Sequence, residues 1–541
     1  MTRTTHNILR AAGLMMAANF LSRILGLLRN TAIAAWFGQN AFTDVYTVSF
    51  IIPDLLFFLF AGGVFSSAFV PVFTRYISDG EEEKAWEVFS ISTVLLTLVI
   101  GLLVVLGIIF APQLSPLAAP GFKSWQLTFM SRLIRILLPG QICFFLGALL
   151  MAVHYVKGRF LAPALGPIVY NLGILAGGWI GHYAWGGDYG VAGLAWGALA
   201  GAIMGNLILP LVLLRGTGVR FRFSLNLRHP GMVKVGKLAL PVLIGLSLPQ
   251  VFAIINRWFA SGLSAGSATA LERANQLMQA PLGIFAQGIS VAIFPALAAL
   301  AAQGQQGELQ RTFSRGLKSL WFISLPLSLL MIVLAPDIVR ILLQYRRTTQ
   351  ADASLVSNVL VFYCLGLFAF SCLQILNRIF YAVHDTLTPA IVGTISTVIF
   401  VALNFLLIGP MNARGLALAG SIAAIAHLAF MLLVLRWRTG LVVEQIWPSF
   451  LKITAAALVA GGVAFFVRHG LFALPMAETL SARMLSLASL FIVTALGGLA
   501  FVAMAMILRI EEMSYVTQIL LRRFRWKAQS NDPSNPAAVV K

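Results

Sequence analysis

The sequence predicts an all-α polytopic membrane protein of about 14 transmembrane helices, with two six-helix lobes and two further helices, 13 and 14. Three observations carry this expectation. Hydrophobic residues make up 59% of the 541 residues and charged residues only 10%, with a mean hydropathy of +0.89. Apolar windows of about 20 residues recur along the whole chain, each enough to cross a hydrocarbon core of about 30 Å. Short motifs of the first half return in the same order about 225 residues later. A transmembrane β-barrel would instead show segments of about ten residues with alternating polarity, and the sequence has none.

The apolar segments fall near 10–36, 41–76, 87–111, 127–155, 160–183, 190–214, 238–261, 267–302, 313–336, 352–381, 387–409, 413–435, 448–468 and 482–509. The first residues loosely imitate a signal peptide. Their apolar stretch runs past Arg23 without a small-residue cleavage site, so they read as a retained first span. "SDGEEEKAWE" reads as a short acidic loop and "AAQGQQGELQR" as a polar one. "EEMSYVTQILLRRFRWK" spaces apolar and basic residues as an interfacial helix would. The last dozen residues, with two prolines, read as disordered. Cys143, Cys364 and Cys372 lie in apolar runs and suggest neither a disulfide framework nor a metal site.

The formal net charge is +20, but its distribution points to topology, not to nucleic acid. Of 38 Lys and Arg, about 25 fall at one membrane face and about 11 at the other, the positive-inside bias. The rich face holds both termini, which are therefore expected in the cytoplasm. The basic patches then read as topology signals that contact anionic lipid.

The repeat sets the architecture. "FAGGVFSSAFVP" from Phe60 returns as "FAQGISVAIFP" from Phe285, and "LAPALGP" from Leu161 as "LTPAIVG" from Leu387. "GLAWGALAGA" from Gly193 returns as "GLALAGSIAA" from Gly415. Six helices bring the chain back to the same face, so the lobes should be parallel repeats about an axis along the membrane normal, with a cleft between them. The expected divisions are an N-terminal lobe at 1–215 and a basic cytoplasmic linker at 216–237. A C-terminal lobe at 238–438, helices 13 and 14 at 439–510, and a basic interfacial helix and tail at 511–541 complete the chain.

The candidate site begins with charges inside the first segment. Asn19, Arg23 and Asn30 share one helix face, and Ser22 and Arg29 a neighbouring one. An arginine at bilayer depth costs roughly 2.5–3.5 kcal/mol on insertion scales, and Arg23 lies too deep to snorkel easily to the inner interface. A guanidinium fork suits a diphosphate or carboxylate because it donates to two oxygens at once. Asp44 reads either as an N-cap with Thr43 or as a switchable ion-pair partner of Arg23 or Arg29. Asp54 follows Pro53, which should kink the second helix there, so Asp54 is a gating candidate. In the mirrored segments, Arg273 and Gln276 are neighbours three residues apart, and the Gln276–Gln279 face reads as cleft lining. Glu272 and Arg273 read equally well as a solvated helix start. The Gly193, Gly197, Gly201 and Gly205 ladder reads as close helix packing. Asn171, Asn404 and His427 read as helix–helix hydrogen bonders, and Asp385 as a cap for helix 11. "GLSAG" at 262–266 fits a hydrolase pattern but joins two membrane helices, so it is set aside. No Walker loop, His-Glu-x-x-His or Cys-x-x-Cys is present. No catalytic residue, metal or cofactor is expected, and transport would draw on an ion gradient or the membrane potential.

"LSRILGLLRNTAIAAWFGQNAFTDVYTVSFIIPDLL" followed by "FAGGVFSSAFVPVF" resembles the MurJ (MviN) lipid II flippases of the multidrug/oligosaccharidyl-lipid/polysaccharide transporter superfamily. The resemblance continues through "SATALERANQLMQAPLGIFAQGISVAIFPAL" and "HDTLTPA" and covers helices 1–12. It implies a cationic central cavity of alternating access that moves undecaprenyl-diphosphate-linked peptidoglycan precursor from the inner to the outer leaflet of the bacterial plasma membrane. It implies that Arg23, Arg29 and Asp44 stand at the family's essential charged positions. Asp385 stands at an acidic position that some members use around bound sodium. The chain departs from the pattern at Phe57 or Phe58, where a basic residue is common, at Gly62, where an acidic one is, and at Gln276, where an arginine is. Arg273, one turn away, is the expected substitute.

The leading expectation is therefore a lipid II flippase, no enzyme, acting as a monomer on a lipid-linked anionic glycan among membrane lipids, without nucleic acid. The alternatives are a flippase for another lipid-linked oligosaccharide, a drug or cation exporter of the same superfamily, and a non-transporting scaffold for wall synthesis. An exporter of cations would favour acidic and aromatic cavity walls, which the paired arginines oppose.

Overall fold

The computed structural model describes residues 3–60, 64–216, 218–439, 447–472 and 480–513. Among these residues no strand occurs. In chain order the helices are α1 (Arg3–Phe37), α2 (Ala41–Val48), α3 (Ile51–Phe60), α4 (Val64–Ser78), α5 (Glu82–Ile109), α6 (Ala111–Ala118) and α7 (Ser124–Leu137). They continue with α8 (Pro139–Val156), α9 (Leu161–Ile180), α10 (Ala192–Ala202), α11 (Leu209–Leu213), α12 (Pro230–Ala260), α13 (Ser267–Pro281) and α14 (Gln287–Ala302). The last seven are α15 (Gln306–Leu343), α16 (Gln350–Cys364), α17 (Leu367–Ala382), α18 (Leu387–Met411), α19 (Ala413–Thr439), α20 (Trp447–Phe472) and α21 (Leu480–Ile507).

Each expected segment falls on one of these helices or on a short run of them. Among the described residues, eleven stretches are long and apolar enough to cross a membrane, or twelve if the bent pair α16–α17 is one span. The protein is thus a multi-pass membrane protein. The expected segments at 10–36 and 238–261 lie in α1 and α12, which are not among those eleven.

Two local differences have clear causes. The second segment is not one helix: it breaks between α2 and α3 at Ser49 and Phe50. Pro53 has no N–H to give the carbonyl four residues before it, and its ring crowds that turn. The acidic stretch is mostly helix, with Glu82 and Glu83 in the first turn of α5, where the exposed N–H groups favour negative charge. The expected interfacial helix beyond residue 513, the tail and Gly62 lie outside the described residues.

The chain divides into two compact units, one of residues 1–275, 342–359 and 393–419, the other of 276–341, 360–392 and 420–541. In the first, α4, α5, α8 and α12 share a core in which Phe69 stacks on Phe73 at 5.2 Å and Phe73 meets Trp86 edge-on at 5.3 Å. Such pairs add about 0.5–1.5 kcal/mol each beyond burial. There α9 and α10 approach through glycines. A Cβ built on Gly177 would run into the backbone of Gly193 and Gly197. The ladder is therefore a packing seam, as its spacing suggested. In a bilayer, where apolar contact alone gives no preference for protein over lipid, such close backbone approach supplies the association.

In the second unit, Leu334 of α15, Ala464 of α20 and Val493 of α21 form a small core. Arg468 Nε donates to Asp337 Oδ2 at 2.6 Å beside it. The three cysteines are free and buried. In the first unit, Asn404 is fully buried, and neither atom of its amide has a hydrogen-bond partner among the described residues, unlike the helix–helix bond expected of it.

Candidate functional site

Three polar clusters of the first unit hold candidate residues. The first lies along α1. Arg29 Nη1 donates to Asn171 Oδ1 of α9 at 3.0 Å, and its Nε and Nη2 donate to Asn30 Oδ1 at 3.3 and 3.2 Å. Asn171 in turn donates to Ser22 Oγ at 3.3 Å and to the Pro167 carbonyl at 3.0 Å. The guanidinium is thus aimed by neutral amides. Among the described residues no carboxylate pairs with it, so its positive charge remains uncompensated. Arg23 and Asn19 lie exposed, about two and three turns towards the N-terminus. Asn171, read from the sequence as a helix–helix hydrogen bonder, does join α9 to α1 and positions Arg29. Its signal was the spacing that put Ser22 and Arg29 on one face.

The second place joins the α1–α2 turn to the start of α13. Asn40 caps α2, accepting from the Phe42 and Thr43 backbone while Thr43 Oγ1 accepts from Asn40 N–H. Asp44 is therefore not the cap. Its carboxylate, 4% exposed, accepts from Gly266 N–H at 2.5 Å, Thr269 N–H at 2.8 Å and Thr269 Oγ1 at 2.7 Å. Neither Arg23 nor Arg29 takes that place. The free N–H groups and positive dipole end of a helix make an anion site, and here the anion is this side chain. Gly266 has φ +90°, and a Cβ there would press on Gln39 Cγ at 3.0 Å. One turn along α13, Arg273 is 5% exposed and donates to the Gly38 carbonyl at 2.8 Å and to Gln39 Oε1 at 3.3 Å. Thr348 Oγ1 donates to the Ala34 carbonyl at 3.0 Å in the same neighbourhood. We call this set the Asp44 latch. Arg273 is not a solvated helix start, and its donors are engaged within the latch.

The third place is an ion triad. Arg257 Nη1 lies 2.6 Å from Asp54 Oδ2, and its Nη2 lies 3.4 Å from Glu272 Oε2. The three side chains are 15%, 26% and 29% exposed. Asp54 thus has a fixed cation. The sequence held a signal for the Arg257–Glu272 contact: Arg257 lies seven residues before Ser264 and Glu272 eight after it, on either side of the turn between α12 and α13. That same turn is the "GLSAG" stretch, and Gly266 in it serves Asp44.

The remaining candidates lie elsewhere. Gln276 is half-buried and Gln279 exposed on α13. Phe57 meets Phe58 and Phe144 edge-on, each at 5.6 Å, so aromatic packing fills the position of an expected basic residue. Asp385 caps α18 through Thr388 N–H at 2.9 Å and Thr388 Oγ1 at 2.6 Å, and Arg438 Nη1 lies 3.1 Å from it. Burial raises this carboxyl, but the Thr388 donors and Arg438 outweigh it, so it sits below the ordinary carboxylate value. Three donors, one a guanidinium, suit a carboxylate and do not fit a sodium ion, so we derive no step through a cation there.

A family model described as "Lipid II flippase MurJ" matches residues 33–512. The chain belongs to the MurJ family. Curated MurJ relatives, each named "Probable lipid II flippase MurJ", span nearly its whole length. That of Rhizobium meliloti is 30% identical over 87% of this chain and 88% of its own. That of Bdellovibrio bacteriovorus is 29% identical over 94% and 96%. Among solved structures, "Lipid II flippase MurJ, inward closed conformation" superposes with a TM-score of 0.76 at 23% identity, covering 91% of this chain and 98% of that one. An inward-facing multidrug MATE transporter of the MOP superfamily follows with a TM-score of 0.63 at 16% identity. At these identities the structural likeness shows the fold. The matched region opens within α1, after Arg23 and Arg29, and holds Asp44, Asp54, Arg257 and Arg273.

Proposed function

We propose that this chain is a lipid II flippase that carries undecaprenyl-diphosphate-linked peptidoglycan precursor from the inner to the outer leaflet by alternating access. Family membership over residues 33–512 supports the cargo class. The observation that carries the mechanism is Arg29. It is a half-buried guanidinium held by Asn30 and Asn171, and among the described residues no carboxylate pairs with it. A fixed cation of this kind stabilises a diphosphate bidentately and gains strength where water is scarce. Arg23 and Asn19, on the same helix, extend the binding stripe. Gln276 and the aromatic Phe57 take no part in neutralising the diphosphate.

In this reading both termini are cytoplasmic, which puts the Asp44 latch at the outer end. Release outward requires Asp44 to leave the α13 N-terminus and Arg273 to leave Gly38 and Gln39. The Asp54–Arg257–Glu272 triad is a second contact that must re-form or slide. A ligand drives such a change only through a difference in affinity for the two states, and the membrane potential acting on the anionic cargo supplies a bias without an ion site. The test is complementation. With the host's own flippase depleted, wild type should sustain growth, while Arg29→Ala, inserted at matched level, should not. Growth of Arg29→Ala at the wild-type rate would remove Arg29 from cargo binding. An exporter of cationic drugs would instead leave wall synthesis unaffected on depletion and lower drug tolerance.

A further inference from the structure

Between the last turn of α11 and the start of α12, residues 218–226 form neither helix nor strand. Their side chains alternate. Val219, Phe221, Phe223, Leu225 and Leu227 are apolar, whereas Arg220, Arg222, Ser224, Asn226 and Arg228 are polar or cationic. Where such a chain is extended, successive side chains point to opposite sides, so the alternation from Val219 to Asn226 sets one greasy edge against one basic edge, and Leu227 and Arg228 follow in a turn closed by Leu227 N–H on the Leu225 carbonyl at 2.8 Å. Its root is fixed. Val219 packs on the first unit's aromatic core, Arg222 N–H donates to Ser90 Oγ at 3.1 Å, and His229, buried, caps α12 through Gly231 N–H at 3.1 Å. Beyond that root the apolar side chains are bare: Phe221, Phe223, Leu225 and Leu227 are 53%, 74%, 46% and 52% exposed.

Two constraints place this segment. Backbone N–H and C=O groups without helix or sheet partners are not tolerated facing hydrocarbon, so the segment is not in the bilayer core. Four large apolar side chains within seven residues are equally unsuited to open water. The headgroup–acyl boundary satisfies both, since the side chains reach the acyl region while the backbone stays hydrated. On the other edge, Arg220 lies 3.8 Å from Glu83, with both side chains mostly exposed. Among the described residues no carboxylate pairs with Arg222 or Arg228. The surplus is cationic.

We propose that residues 219–228 are an interfacial strap that binds anionic phospholipid headgroups through Arg220, Arg222 and Arg228 while Phe221 and Phe223 insert among the acyl chains. The strap tethers α12 to the membrane surface and makes the transporter sensitive to the anionic lipid content of that leaflet. It holds whatever the cargo is.

The test uses the full chain in nanodiscs, with the three native cysteines replaced and a nitroxide at Phe223→Cys. In discs of phosphatidylglycerol and phosphatidylcholine, the label should be accessible to oxygen and shielded from a nickel chelate. Spin-labelled phosphatidylglycerol should associate with the wild type in preference to phosphatidylcholine. The triple substitution Arg220→Gln, Arg222→Gln, Arg228→Gln should lower that preference roughly threefold or more. A label as open to the nickel chelate as a water-exposed site would overturn the insertion. A lipid preference unmoved by the triple substitution would overturn the anionic role. The single Phe223→Cys change is at a bare side chain, so the depth measurement stands even if the triple variant folds poorly.

Discussion

Replacing Asp44 by Asn isolates the latch. The amide keeps the size of the carboxylate, and its oxygen can still accept from Thr269 N–H and Oγ1, now at 2.8 and 2.7 Å from the carboxylate. The NH2 then takes the place of the oxygen that faces Gly266 N–H at 2.5 Å, setting donor against donor. One charge-assisted bond is lost, worth about 1.5–3 kcal/mol, and a buried N–H is left unsatisfied. The two remaining bonds become neutral, at about half their former strength. The closed latch should weaken by about 3 kcal/mol or more, roughly a hundredfold in its opening equilibrium. Ala270, fully buried on α13 beside Thr269, reports on opening once changed to Cys in a chain without native cysteines. In nanodiscs, where a soluble maleimide reaches both faces, Asp44→Asn should speed modification of Ala270→Cys by about two orders of magnitude. Rates equal within threefold would refute the claim that Asp44 holds this end shut.

Two other sites give independent tests. Arg257→Ala leaves Asp54 and Glu272 without their cation and should cost about 3 kcal/mol, the low end for buried pairs because these side chains keep some exposure. Adding Asp54→Asn and Glu272→Gln to Arg257→Ala should recover most of the lost melting temperature in detergent, and no recovery would mean that the triad's charge is not the cause. For Asp385, whose folded carboxyl is held below the ordinary 3.8, stability is fully present above the unfolded value and lost as pH falls through the depressed folded one. Asp385→Asn keeps a capping oxygen but loses the charge that faces Arg438, so it should melt below wild type near pH 7 by up to ~1 kcal/mol. That gap should begin to narrow only below the ordinary 3.8 and close once pH falls below the depressed folded value, and a gap that does not narrow over that range would exclude the ionised cap.

The fold was legible in the sequence because a bilayer leaves few options: each apolar segment must close its own backbone bonds as a helix. Pro53 also announced the α2–α3 break, and the glycine spacing announced the α9–α10 seam. The site was legible only in part. Arg29 stood out because a lone charge in an apolar run needs a reason. Its partner Asn171 lies 142 residues away, a distance no helical period spans. Asp44 was misjudged for the same cause. Local spacing offered Thr43 and the first-segment arginines, while the donors that win belong to a helix start 222 residues further on. Arg273 looked exposed because it follows Glu272 near a helix start. It is buried because α13 begins against the α1–α2 turn, a tertiary fact. The Arg257–Glu272 contact was open to reading, since near-symmetric spacing about a tight turn pairs antiparallel helices.

The central claim is that a fixed, uncompensated Arg29 receives the diphosphate of a lipid-linked glycan and that this chain moves it across the bilayer. The most direct measurement is the leaflet accessibility of labelled lipid II in cells in which this chain is the sole flippase. Wild type should deliver lipid II to a membrane-impermeant reagent outside, and Arg29→Ala should leave it inside at equal total lipid II. Equal delivery by the two, or none by a well-inserted wild type, would contradict the account.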